Sequence, residues 1–250
     1  MLARARQGLL GLVLAFLAAP LVGLCMGGNW RAAVLTPGDL AAIATSLLGG
    51  AVALLVVALA GTPLALYLAR THTRLALAAE ALVLAPMLMP TLALGILLAT
   101  LYGPAAPLGR LFARLGIVLT NSPAAFLLAT LYAALPVYVL AARAALAEVP
   151  QDYAQLARTL GDSPARAFFR VTLPLARRGL AAALALAWVR ALGEFGIVLI
   201  IAYFPAGMPV RLWIDVQDLG LQAVFPLVAV FLAATLPLPL WVSLWARVAR

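Results

Sequence analysis

Long apolar runs separated by short polar intervals make up most of this chain. A helix needs about 20 largely apolar residues to cross the hydrocarbon core of a bilayer. Six charge-poor runs come close to or exceed that length, namely Gly8–Met26, Leu40–Ala69, Ala81–Gly109, Leu115–Ala142, Gly179–Pro209 and Leu219–Ala246. The pattern therefore predicts an all-α, polytopic membrane protein with six transmembrane helices.

Composition agrees with a membrane protein and disfavours a soluble one. The chain is 66% hydrophobic and only 10% charged, whereas soluble domains are about 45–50% apolar and about 25% charged. We expect residues 1–250 to form a single transmembrane domain, since no polar stretch is long enough for another one. The net charge of +9 could indicate a nucleic-acid partner. However, the arginines occur singly or in pairs at the ends of apolar runs, so we predict no nucleic-acid binding.

The distribution of arginine predicts the orientation in the membrane. With the N-terminus inside, twelve arginines fall in inner segments and four in outer segments. The inner set is Arg4, Arg6, Arg70, Arg74, Arg143, Arg158, Arg166, Arg170, Arg177, Arg178, Arg247 and Arg250, and the outer set is Arg31, Arg110, Arg114 and Arg211. Because cytoplasmic loops retain positive charge, both termini are predicted to be cytoplasmic, in the cell (inner) membrane. The first run resembles a signal peptide in following two arginines, but it lacks a good cleavage site, so we expect an uncleaved helix.

The sequence offers little chemistry of the catalytic kind. Cys25 and His72 are single examples of their residue types, so neither a disulfide within the chain nor a His/Cys metal cluster can form. Apart from Glu194, the acidic residues are scattered near the predicted membrane boundaries, at Asp39, Glu80, Glu148, Asp152, Asp162, Asp215 and Asp218. We therefore predict no catalytic residues, no metal site and no enzymatic activity in this chain.

The longest polar interval, 143–178, is too long for a simple turn and too short for a domain. Pro150 and Pro164 suit the first turns of two short helices at the membrane surface, and Pro174 suits the start of the next span. Such helices could dock into a cleft of a partner protein, or they could rest on anionic lipid.

Within this interval, the spacing resembles the cytoplasmic "EAA" loop of ABC-transporter permeases. That pattern is Glu-Ala-Ala, three residues, Gly, nine residues, an aliphatic residue, one residue, and Leu-Pro. Here Gln-Leu-Ala fills 155–157, and Gly161, Val171 and the pair 173–174 follow at the required distances. Gln and Leu replace the first Glu and Ala, which argues against any role that requires a negative charge at position 155.

The resemblance implies a type I importer permease that works as a pair, in which each copy docks one ATP-hydrolysing subunit on residues 150–168. The ATPase-coupling residues that it implies are Pro150, Tyr153, Gln155, Leu156, Ala157, Leu160, Gly161, Pro164 and Phe168. ATP and Mg would bind to the partner, because this chain has neither a G-x-x-x-x-G-K-[ST] loop nor any lysine to serve one. No cofactor is expected in this chain.

Further segments resemble permeases for molybdate, tungstate and sulfate. They are Ala191–Gly196, which reads ALGEFG, then Ile201–Pro205 followed by Pro209, and upstream Gly61–Arg70 and Ala85–Pro90. This resemblance implies molybdate/tungstate import by alternating access, with an extracytoplasmic oxyanion-binding protein as partner. Alternatives are the same machine for sulfate, thiamine, iron or a polyamine, an ion-coupled secondary transporter, or a membrane scaffold.

Four residues within the spans are candidates for the pathway. Arg190 and Glu194 are four residues apart, so on one helix they would share a face. Because charges inside a membrane are costly, they either line the pathway or neutralise each other and fix helix packing. Pro86 and Pro90 each remove a backbone donor and kink the third span, either along the pathway or for packing.

Overall fold

The structure is a computed structural model that describes residues 2–28, 30 and 34–248, and this part of the chain is helical without strands. The α-helices are α1 (Leu2–Gly27), α2 (Pro37–Arg70), α3 (Arg74–Leu88), α4 (Thr91–Tyr102), α5 (Pro107–Arg114), α6 (Pro123–Ala147), α7 (Gln151–Thr159), α8 (Pro164–Ala167), α9 (Leu173–Leu192), α10 (Gly196–Ile201), α11 (Met208–Leu219), α12 (Phe225–Thr235) and α13 (Pro237–Val248). A π-helix, Phe168–Thr172, joins α8 to α9, and a 3₁₀ helix, Leu221–Val224, precedes α12. Arg31 and Arg250, which entered the orientation count, lie outside the described residues.

Four helical segments of the described chain are long and apolar enough to cross a membrane, namely Arg6–Gly27, Pro37–Arg70, Pro123–Ala147 and Leu221–Ala246. They correspond to the first, second, fourth and sixth predicted spans. The fourth starts later than predicted, because Ser122 accepts a hydrogen bond from the N–H of Ala125 and so caps the start of α6. The preceding residues 115–122 form a loop rather than the first turns of the span.

The third predicted span, Ala81–Gly109, is not a single helix. Helix α3 ends at Leu88, α4 begins at Thr91, and the two axes differ in direction by 113°. Met89 is extended, which is the conformation that a following proline favours. Pro90 therefore breaks the span instead of kinking it.

The fifth predicted span, Gly179–Pro209, is also interrupted. Helix α9 ends at Leu192, and α10 begins only at Gly196. Helix α9 itself carries three arginines, at positions 177, 178 and 190. Glu194 lies in the break between α9 and α10, so it does not share a continuous helix with Arg190, although the two side chains meet as their spacing predicts.

The core is built by α2, α6 and α9, which pack closely through small residues. A Cβ atom on Gly49 would lie 2.5 Å from the ring of Phe126, and one on Gly61 would lie 2.7 Å from the ring of Tyr138. The hydroxyl of Tyr138 is in turn 2.6 Å from the hydroxyl of Thr62 on α2. These glycines therefore allow the close approach of α2 and α6.

The polar interval forms the two short helices that the sequence predicts. Pro150 caps α7, and Ser163 caps α8 by accepting a hydrogen bond from the N–H of Arg166. Pro174 lies in the first turn of α9, as predicted, and the π-helix joins α8 to α9 without a break. Helices α8 and α9 are therefore continuous, and the short turn 160–163 joins α7 to them.

Candidate coupling surface and broken spans

Helix α7 has no buried residue, although its sequence is partly apolar. Tyr153, Leu156 and Leu160 are 53%, 60% and 81% exposed. Their spacing of three and four residues places them on one side of the helix. This segment therefore presents an uncovered apolar face, which we call the α7 face and define by these three residues.

Gly161 ends α7 in a turn that requires a residue with a positive φ angle. Its φ is +100°. The N–H of Asp162 donates to the carbonyl of Ala157 at 3.0 Å, and the N–H of Gly161 donates to that of Arg158 at 3.1 Å. This is the Schellman arrangement, in which glycine avoids the steric cost of positive φ. The glycine of the EAA-like pattern therefore has a conformational reason to be glycine.

The opposite side of α7 faces a cleft against the end of α2. The cleft has a volume of about 230 Å³ and is lined by Leu66, Arg70, Gln151, Ala154, Gln155, Arg158, Pro164, Ala167, Phe168 and Thr172. The predicted coupling residues are therefore divided between two surfaces. Gln155, Pro164 and Phe168 line the cleft, whereas the α7 face points away from it.

Two contacts tie the α7–α8 region to the bundle. Phe168, at the start of the π-helix, packs against the core formed by α2, α6 and α9. Arg170 donates to the carboxylate of Asp162 at 3.1 Å, which links the turn after α7 to the π-helix. These contacts connect the α7–α8 region to α9 and to the core of the bundle.

Arg190 and Glu194 meet at the break that follows α9. A guanidinium nitrogen of Arg190 lies 2.5 Å from Oε2 of Glu194. The Glu194 side chain is fully buried, and that of Arg190 is 34% exposed. The other carboxylate oxygen of Glu194 accepts a hydrogen bond from the N–H of Ile197 at 2.7 Å. Glu194 therefore caps the first turn of α10 while Arg190 offsets its charge.

The two broken spans pack against each other through glycine. A Cβ atom on Gly95 of α4 would lie 3.1 Å from Cα of Ile197 and 3.2 Å from the carbonyl oxygen of Gly196. A Cβ atom on Gly196 would collide with the hydroxyl of Thr91 and lie 2.9 Å from the N–H of Leu92. The backbones of α4 and α10 are thus in direct contact, which the sequence predictions did not identify.

The two prolines of the third predicted span have different surroundings. Pro90 is exposed at the break between α3 and α4. Pro86 lines an apolar cavity of about 510 Å³, whose other walls include Tyr102 and Tyr132. Pro90 therefore marks the break in the third predicted span, whereas Pro86 contributes to the wall of a cavity.

A buried charged cluster at the other end of α2 was missed. Nε of Arg211 donates to Asp39 at 2.9 Å, and another guanidinium nitrogen lies 2.8 Å from Asp215. Asp39 also forms reciprocal hydrogen bonds with Thr36, a capping box at the start of α2. The Thr36–Asp39 spacing was a readable signal for the cap, but nothing local pointed from Asp39 to Arg211. The sequence suggested that the acidic residues are scattered, but Asp39 and Asp215 lie together around Arg211.

Burial and, to a smaller extent, the hydrogen bond with Asp39 raise the pKa of Asp215 to about 6, against the opposing effect of Arg211. The cluster lies far from α7, because the 34 residues of α2 correspond to a length of about 50 Å. The chain thus carries a titratable group at one end and an uncovered apolar helix at the other.

These features define a class of protein: a membrane-spanning helical permease with one broken span, α3–α4, and a short, uncovered helix at one end. More narrowly, the chain belongs to the family of binding-protein-dependent transport system inner membrane components, whose profile matches residues 61–248. Among its relatives, a probable molybdenum ABC transporter permease protein of Haloferax volcanii is 38% identical over 191 residues, which is 76% of this chain and 70% of the relative. ModB, the molybdenum transport system permease protein of Mycobacterium bovis, is 35% identical over 190 residues, 75% of this chain and 72% of the relative.

The fold agrees with this family. A permease chain in the crystal structure of a bacterial alginate ABC transporter, in complex with its periplasmic protein, superposes with a TM-score of 0.76 at 14% identity, covering 96% of this chain and 92% of that one. A chain of the MetNI methionine ABC transporter in an inward-facing conformation gives 0.62 at 18% identity, covering 84% and 94%. The predicted type I importer permease fold is confirmed.

Proposed function

We propose that this chain is the membrane-spanning subunit of an ATP-driven importer for molybdate- and tungstate-type oxyanions. The observation that carries the coupling part of the proposal is the uncovered α7 face beside the Gly161 turn. A short helix with an apolar face fits the groove of a partner protein. The substrate class is supported by the resemblance of Ala191–Gly196 and by relatives named for molybdenum and molybdate/tungstate transport.

The proposal includes a defined set of partners. A second copy of this chain completes the pathway as a homodimer, and each copy docks one ATP-binding subunit on residues 150–168. The ATPase subunits bind ATP and Mg, and this chain needs no cofactor of its own. An extracytoplasmic protein delivers the oxyanion to the opposite face. The α7 end and both termini then lie in the cytoplasm, as cytoplasmic retention of arginine favours.

Transmission of ATP-driven motion follows from the connection of α7 to α9. When the ATPase subunits close on ATP, each α7 moves with its partner, and the π-helix carries the motion into α9. Because α9 ends at the Arg190–Glu194 pair, this motion also reaches the contact between α10 and α4. Closure opens the pathway outward, and hydrolysis resets it inward.

Arg190 and Glu194 have different roles in this proposal. Glu194 positions α10, since its side chain is fully buried and one of its oxygens caps the helix. Arg190 is 34% exposed, so it is the member of the pair that can meet a passing anion. Pro90 sets the bend between α3 and α4, and Pro86 forms part of the wall of the apolar cavity next to Tyr102 and Tyr132. Weak binding along the route is expected, because a pathway that binds tightly does not release.

The test is ATPase activity in proteoliposomes that contain this chain, its ATPase subunit and its binding protein. Molybdate, tungstate and sulfate are added separately to the wild type and to Leu156→Ser on the α7 face. Leu175→Ser is the matched control, because Leu175 is 55% exposed on α9 and lies outside that face. We expect stimulation by molybdate or tungstate that is lost in Leu156→Ser and kept in Leu175→Ser.

Other outcomes separate the parts of the proposal. Stimulation by sulfate alone would show that sulfate is the substrate, and it would leave the proposed role of the α7 face unchanged. Equal substrate-stimulated ATPase activity of the two leucine variants would show that the α7 face does not couple the ATPase to transport. If the ATPase subunit does not bind the intact chain, the importer mechanism itself is overturned.

A further inference from the structure

An arginine and two tryptophans form a stack between the start of α9 and the end of α13. The rings of Trp241 and Trp245 lie 6.0 Å apart and are nearly parallel, with an interplanar angle of 5°. The guanidinium carbon of Arg177 lies 5.7 Å from the centroid of the Trp245 ring. This arrangement fixes a cation against an aromatic face, at the same end of the bundle as α7.

Arg177 forms no ion pair with a carboxylate of the described residues. Among the residues that the structure describes, ion pairs with acidic side chains are formed by Arg143, Arg170, Arg190 and Arg211. Arg177 is exposed, and its guanidinium group lies over the ring of Trp245. Stacking occupies the face of the guanidinium group and leaves its N–H groups available around the edge, where they can bind a phosphate.

An apolar surface continues from this stack along α13. Leu240, Trp241 and Leu244 are 57%, 61% and 62% exposed, whereas Val242 is buried against the bundle. The spacing of the three exposed residues places them on one side of the helix. A charged and aromatic end followed by an apolar strip matches the order of headgroup and acyl chain in a phospholipid.

We infer that Arg177, Trp241 and Trp245 bind the headgroup of an anionic phospholipid, with an acyl chain along Leu240 and Leu244. The phosphate accepts hydrogen bonds from Arg177, and the tryptophans hold the guanidinium group at headgroup depth. A zwitterionic lipid fits less well, because its own cation competes with Arg177 for the phosphate. This site is separate from the α7 face and does not depend on the transported substrate.

The experiment measures tryptophan fluorescence of the full-length chain in phosphatidylcholine bilayers. A small, fixed fraction of lipid carries brominated acyl chains, which quench nearby tryptophans, either as phosphatidylglycerol or as phosphatidylcholine. We expect more quenching by the brominated phosphatidylglycerol. The excess should be lost in Arg177→Gln and in Trp245→Phe, and it should remain in Arg114→Gln, an exposed arginine on α5 that loses the same charge.

Controls separate the lipid from other sources of the same chemistry. Circular dichroism and size-exclusion profiles that match the wild type show that the variants are folded. Equal quenching by the two brominated lipids, or an excess that survives Arg177→Gln, would overturn the inference. Relief of the excess by added inorganic phosphate would show that the site takes a free anion instead. Disappearance of the excess when the ATPase subunit binds would show that a protein covers this face in the complex.

Discussion

Nε of Arg211 lies 2.9 Å from Oδ1 of Asp39, although the two residues are 172 positions apart in the chain. This hydrogen bond ties α11 to the first turn of α2. The neighbouring Gly38 leaves room for it, because a Cβ atom at that position would lie 2.9 Å from the guanidinium carbon. The contact lies at the end of α2 that is opposite to α7.

The third member of this cluster, Asp215, should make stability depend on pH. Its pKa in the folded state is about 6, above the ordinary 3.8, because of burial and its contact with Asp39. The folded chain therefore takes up this proton before the unfolded chain does, and stability from this group increases as the pH falls from about 6 to about 4. We expect the thermal unfolding midpoint of the purified wild type to rise relative to that of Asp215→Asn as the pH falls from about 6 to about 4. A constant offset between the wild type and Asp215→Asn over this pH range would contradict the prediction.

Gly161→Ala should uncouple the ATPase. Alanine at a φ of +100° costs about 1–2 kcal/mol, so the turn after α7 should shift. Gly116 is a matched control, since its φ is +77° and, as at Gly161, a Cβ atom would have no neighbour within 4 Å. Both variants should lose similar stability in thermal unfolding, but only Gly161→Ala should lose substrate-stimulated ATPase activity. Loss of stimulation in both variants would point to a general effect of instability.

Gly196→Ala should destabilise the contact between the broken spans. The added methyl group meets the side chain of Thr91 and the backbone of Leu92, and overpacking of this kind costs about 1–3 kcal/mol. Gly11→Ala on α1 is the control, because a Cβ atom there has no neighbour within 4 Å. It should leave the unfolding midpoint unchanged or raise it, as expected for Gly→Ala inside a helix. Equal midpoints for the two variants would argue against direct backbone contact between α4 and α10.

Substitutions of Glu194 should separate its charge from its capping role. Glu194→Gln removes the ion pair with Arg190 but keeps an oxygen that can accept from the N–H of Ile197. Because Arg190 is partly exposed and can be hydrated, the loss should be smaller than the about 3–5 kcal/mol typical of a fully buried pair. Glu194→Ala also leaves the N–H group without its partner, which adds about 1–3 kcal/mol. Unfolding midpoints should fall in the order wild type, Gln, Ala, while Glu148→Gln at an exposed position should match the wild type.

The permease class, the candidate coupling helix and much of the span pattern could be predicted from the sequence because they depend on local properties. Apolar runs such as Leu40–Ala69 become membrane helices wherever the backbone must satisfy its own hydrogen bonds. Pro150, Pro164 and Gly161 mark the boundaries of α7 and α8 through their own conformational limits. The relation to oxyanion permeases was likewise carried by short segments such as Ala191–Gly196.

Only the tertiary structure decided where the spans break and which distant residues meet. Composition cannot distinguish a continuous span from two helices at 113°, because both are equally apolar. Similarly, Arg190 and Glu194 have helical spacing, but the helix ends between them at Leu192. The partnership of Asp39 with Arg211, and that of Arg177 with Trp245, depends on how α2, α9, α11 and α13 pack. No local pattern encodes these contacts, since a charge or an aromatic ring acquires its partner only when the whole bundle is assembled.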